Sequence, residues 1–242
     1  MANEALIRKT HLNLFGAWWS AIAYCALLFV GWFAVAGFFP PHSPSAGAEQ
    51  IAAIFREHAT RIRIGMVIAM WGCAFFITWT ASVADYVSRI EGRNGPLTRV
   101  VTMGGYTNAL FTFYPPLWWI INSFRPAERT ADTIFLLNDV AWIQFLGAIS
   151  LVMPMFAAIA YVAFNDNSQD PVFPRWFGYL TAWAFVLIVP DQALFFFQHG
   201  PFAWDGLFPF WIPVPVFCGW VLLTGWLIQR KARREAAQAQ GT

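Results

Sequence analysis

The sequence predicts an all-α, polytopic membrane protein: one transmembrane domain over residues 1–242, built as a bundle of six membrane-spanning helices. Three observations predict it. First, 58% of the residues are hydrophobic and only 12% charged, against roughly 25% charged in a soluble domain, so the chain lacks the polar surface to cover itself in water. Second, its 14 Trp and 25 Phe are spread along the whole length, so the apolar material is not one anchor. Third, six runs reach the roughly 20 apolar residues needed to cross a bilayer.

The expected spans run from about Leu14 to Phe39, Ile64 to Val87, Val100 to Phe124, Thr133 to Phe164, Trp176 to Phe197 and Phe208 to Ile228. The first follows a polar N-terminus and is too long for a signal-peptide core, so it is expected to be retained. Residues 40–63 form the longest connection, opening with Pro40-Pro41-His42-Ser43-Pro44-Ser45 and continuing into a short amphipathic helix with Ile51, Ile54, Phe55 and His58 on one face. Such a helix lies on the membrane surface, caps the bundle or simply aims the next span. The second connection, Glu91-Gly92-Arg93-Asn94-Gly95-Pro96, is a turn signal. Residues 229–242 are a polar tail.

Basic residues are retained on the cytoplasmic side. Arg8 and Lys9 precede the first span, Arg89, Arg93 and Arg99 lie around the second connection, and Arg175 lies at the fourth. Arg230, Lys231, Arg233 and Arg234 follow the last span. The intervening connections carry Arg56, Arg61, Arg63, Arg125 and Arg129 interleaved with Glu49, Glu57, Glu128 and Asp132. Both termini are therefore expected in the cytoplasm, and the localisation is expected to be a bacterial inner membrane.

A net charge of +2 with no continuous basic face excludes a nucleic-acid partner. Cys25, Cys73 and Cys218 stand far apart in apolar runs and read as packing residues. The four histidines share no helix at ligand spacing, so no metal site is expected. No cofactor is expected either.

Polar groups inside the apolar runs are where function is sought, because an ionisable group in hydrocarbon costs roughly 2.5–3.5 kcal/mol on insertion scales. Asp85 is four residues before Arg89 and reads as half of an interfacial ion pair. Asp139 and Asp191 are different: each lies inside a span, at a similar depth of about 10 Å below the outer interface, and they are the candidate acids. Pro190 beside Asp191 frees a carbonyl and marks a kink beside a cavity. Asn138, Gln144, Tyr114, Asn108 and Gln192 supply further polar groups, Trp142 and Trp183 deep aromatic faces, and His199 a group at the outer mouth. Together these are the candidate ligand-binding set. The same polar groups also suit plain hydrogen bonding between helices.

The stretches Pro174-Arg175-Trp176-Phe177-Gly178-Tyr179-Leu180, Gly200-Pro201-Phe202-Ala203-Trp204-Asp205-Gly206-Leu207 and Leu137-Asn138-Asp139-Val140-Ala141-Trp142 resemble a group of uncharacterised six-helix bacterial inner-membrane proteins. The resemblance covers mainly the chain from Leu137 onward. It implies a bacterial inner membrane and six helices, and no chemistry.

Three functions fit these readings. One is the binding or carrying of an apolar small molecule, such as a lipid, isoprenoid, sterol or aromatic compound, in an outward-opening aromatic-rich pocket. Another is an intramembrane isomerase or cyclase on an isoprenoid-like substrate, with Asp139 or Asp191 as the acid and tryptophans stabilising a developing cation. The third is an accessory subunit of a larger membrane complex. Small residues such as Gly65, Gly72, Gly104, Gly105 and Gly147 also permit close helix contact within a homo-oligomer or with a membrane partner.

Overall fold

The computed structural model describes residues 15–92 and 95–240, and within them the chain is all-helical. Arg8, Lys9 and Arg93, which carry part of the expected orientation, lie outside the described residues. Seven helices follow one another: α1 (Gly16–Val35), α2 (Ala48–Glu57), α3 (Ala59–Glu91), α4 (Pro96–Phe124), α5 (Ala131–Asn165), α6 (Arg175–Phe196) and α7 (Leu207–Ala239). Five of them, α1, α3, α5, α6 and α7, are long and apolar enough to cross a membrane.

The sequence predicts six such spans, and α4 is the one that falls short. It is long enough, at 29 residues, but its inward face carries Asn108, Thr112, Asn122 and Ser123, all buried. Its outward face carries Met103, Tyr106, Leu110 and Tyr114, all exposed and three or four residues apart, which is one helical stripe. The polar groups inside dilute its hydropathy while the surface stays apolar.

Local chemistry sets the helix ends. Gly92 closes α3 with φ 99°, a conformation that side chains beyond glycine rarely adopt. The Glu91 carboxylate accepts from the amides of Leu97 (2.8 Å) and Thr98 (2.9 Å), so an anion caps the positive end of α4. Thr130 caps α5 by accepting from the Thr133 amide at 3.3 Å, with Asp132 in the first turn.

The bundle has two ends. At the end near the termini, Arg89 bonds Asp85 and Glu235 at 3.1 Å, as the i, i+4 spacing of the first pair predicts, while Lys231 (3.0 Å) and Arg234 (2.8 Å) hold Asp170. Those two cations, the Lys231 hydrogen bond foremost, keep the Asp170 carboxyl below its usual range. At the opposite, loop end, α2 buries Ile51, Ala52 and Phe55 and caps the bundle. Arg56 there donates to the carbonyls of Pro126 and Arg129. Between the ends α1 and α3 cross at Gly31 and Gly65, where a Cβ on either would run into the other's carbonyl oxygen.

Two aromatic cores fill the interior. The core toward the termini is built on Tyr24, Phe76, Trp79, Phe156 and Trp220. The loop-end core is built on Trp32, Phe38, Phe55, Trp119, Trp142 and Trp204.

Candidate functional site

A cavity of about 60 Å³ lies where the two cores meet, drawing Tyr24, Leu28, Phe111, Ile149, Ile188 and Cys218 from one and Trp32, Phe145 and Leu146 from the other. The helices around it depart from α geometry. Val30–Val35, which carries Trp32, is π-wound, and so is Leu207–Trp211, just before the lining residues Pro213 and Val214. Ala148–Leu151, which carries Ile149, and Val189–Phe196, which carries Asp191, are wound as 3-10 helix. Irregular backbone within a membrane span is tolerated where it lines a cavity, and such turns recur at functional sites.

The walls are aromatic and aliphatic with few polar groups: Asn108, Asp191, Thr112 and Tyr24. Thr112 uses its hydroxyl to donate to the Asn108 carbonyl at 2.8 Å. Asn108 is 0% exposed and Asp191 2% exposed, yet neither atom of the Asn108 amide and not Oδ1 of Asp191 has a hydrogen-bond partner. An unpaired buried polar atom costs about 1–3 kcal/mol, and here two side chains carry that cost on one cavity. Among the described residues, no lysine, arginine or histidine lines it. No family model, curated protein or solved structure matches the chain.

A second, larger cavity of about 700 Å³ lies at the loop end, bounded by Pro44, Phe135, Asp139, Ile143, Leu194, the run Phe195–Phe196–Phe197, His199 and Trp204. Oδ1 of Asp139 is buried there without a partner. The two candidate acids thus line separate cavities. The Val189–Phe196 segment divides them, presenting Asp191 to one and Leu194 to the other.

The remaining predicted residues fall into three groups. Asn108 joins Asp191 in the central cavity and His199 joins Asp139 at the loop end. Gln144, Gln192 and Asn138 act between helices: Trp118 donates to Gln144 Oε1 at 2.7 Å, Gln192 donates to the Gly147 carbonyl at 2.8 Å, and Trp119 donates to Asn138 Oδ1 at 3.3 Å. Asn138 keeps Nδ2 unpaired within the loop-end core, where Trp142 is fully buried. Trp183 and Tyr114 face outward and line neither cavity.

Several site residues carry little sequence signal. Tyr24 and Trp32 look like ordinary span residues, although Thr112, four residues after Asn108, shares its helix face. His42 reads as part of a Pro-rich turn, yet its ring packs 4.4 Å from Phe38 and 6.2 Å from Trp142. Trp204 donates to the His42 carbonyl at 2.7 Å and fixes that loop. Burial lowers the His42 pKa from 6.5 to about 4, with the neighbouring Asn138 side chain opposing the shift.

Proposed function

We propose that the chain is a multi-pass inner-membrane protein that binds or carries an apolar small molecule, a lipid, isoprenoid, sterol or aromatic compound, with Asp191 and Asn108 holding its polar end in the central cavity. The observation that carries this reading is the pair of buried, unpartnered polar side chains on one aromatic-walled cavity. Convergent polar groups in an apolar hollow are the usual makeup of a ligand site. The loop-end cavity with Asp139 and His199, on the other side of the Val189–Phe196 segment, gives a carrier its outward exit. The apolar outward stripe of α4 supports a sixth crossing, and the Lys and Arg distribution supports cytoplasmic termini.

A second reading draws on the rings of Tyr24, Phe29, Trp32, Phe111, Phe145 and Phe217 around Asp191. An acid in an aromatic enclosure suits isomerisation or cyclisation of an isoprenoid-like substrate through a cationic intermediate.

The test is mass spectrometry of protein extracted gently from its native membrane. The expected result is a stoichiometric apolar compound that is lost in Asp191→Leu and Asn108→Leu. Stoichiometric partner proteins with no small molecule would instead make the chain an assembly subunit.

A further inference from the structure

The central cavity has a side as well as a floor. Among its lining residues only Phe29, Val214 and Phe217 are partly exposed, and these lie on α1 and α7. On one side of this gap the helices are pressed together where Gly225 meets the Ala17 backbone. On the other they are joined by ring contacts, Phe33 to Phe210 at 6.2 Å and Phe39 to Trp211 at 5.5 Å. Pro213 and Pro215 fall at the gap, in the first turn of the α-wound part of α7, just after its π-wound start.

About 60 Å³ is far less than the roughly 150 Å³ cavity that encloses one benzene ring. An apolar compound of benzene size or larger therefore fits only by its end, and the rest has to lie in the gap. The chemistry of that end follows from the atoms left bare. Asn108 offers an unpaired donor, Nδ2, and an unpaired acceptor, Oδ1, and the Asp191 carboxyl lines the same cavity. A ketone or ether only accepts and leaves Asn108 Oδ1 unmet, whereas an ammonium only donates and leaves Nδ2 unmet. A phosphate finds no cation among the described lining residues and would face a carboxyl. A hydroxyl donates and accepts in the smallest volume.

Resting on the reading above, we propose that the ligand is a long-chain alcohol that enters sideways from the bilayer between α1 and α7, its hydroxyl held by Asn108 and Asp191 and its chain passing Phe29, Val214 and Phe217.

Three photoactivatable hexadecyl probes of equal length test this on the full chain in nanodiscs: the primary alcohol, its methyl ether and the primary amine. The alcohol is expected to label the segments Tyr24–Trp32 and Pro213–Cys218 about tenfold more than the other two, since a site built around a hydroxyl rejects analogues that cannot match it. Asn108→Leu and Asp191→Leu are expected to erase that preference. Asp191→Asn, which keeps a donor and an acceptor, is expected to retain it within about threefold, a rescue that a purely structural role would not produce. Equal or stronger labelling of these segments by the ether or amine overturns the alcohol assignment while leaving an apolar ligand in the cavity. Labelling of neither segment by any probe overturns both, the cavity then holding only water.

Discussion

The two aromatic cores use the same side chains to different ends. In the core toward the termini, Trp79 donates to the Val221 carbonyl at 3.2 Å and Trp220 to Thr181 Oγ1 at 3.0 Å, so each large ring is packed and its N–H satisfied. In the loop-end half Trp32 and Trp142 are as deeply buried, yet their N–H groups lack partners, as does Nδ2 of Asn138. Asn108 and Asp191 at the seam continue the pattern. One half is finished as a scaffold and the other is left with open valences. Buried polar groups that are not paired mark places where something else supplies the partner.

Four perturbations break or sharpen that contrast. The largest is expected from Trp220→Ala, which empties a fully buried site in the scaffold core and should cost about 3–5 kcal/mol, read as a lower melting temperature in detergent. Gly31→Val attacks what both halves share, the crossing of α1 and α3. The colliding partner is backbone that cannot rotate away, so a loss of about 3 kcal/mol or more is expected, with reduced yield of monodisperse protein.

Next comes one substitution at two places. Trp79→Phe removes a satisfied N–H and its bond to the Val221 carbonyl inside α7, and should cost about 1 kcal/mol more than Trp142→Phe, which removes an N–H that has no partner. Equal costs would mean that the halves do not differ in the proposed way.

The fourth is a pH dependence that His42 contributes at the loop end. Between pH 6.5 and about 4 the unfolded chain protonates His42 while the folded chain, with its pKa near 4, does not. The His42 contribution to stability should therefore be fullest above pH 6.5, fall as pH drops through this window and level off below it. His42→Gln should flatten that component in melting curves taken from pH 7 to 4.5.

Much of this architecture is legible in the sequence. The apolar runs give five spans directly, and the i, i+4 spacing gives the Asp85–Arg89 pair. Pro190 marks a disturbed helix in the sequence, and the segment around it is wound as 3-10 helix. The division into two cavities is hidden. It depends on the 3-10 winding of Val189–Phe196, with about three residues per turn, which turns Asp191, Gln192 and Leu194 to directions that a regular helix projection misplaces. Trp204 is buried against the His42 loop, a contact across 162 residues of chain that no local pattern carries. Asn108 is visible as a polar residue in a span, but its lack of partners exists only in three dimensions.

The central claim, that the polar groups at the seam are kept for a ligand and not for the fold, is tested most directly by the melting temperature of delipidated wild type against delipidated Asn108→Leu. Leucine keeps the branched shape, has the adjoining cavity to take its larger methyl groups and removes two buried atoms that have no partner, so the variant should be as stable or more stable, by up to about 1–3 kcal/mol. A variant that melts several degrees lower would contradict the account and make Asn108 part of the interhelical hydrogen bonding that holds the bundle together.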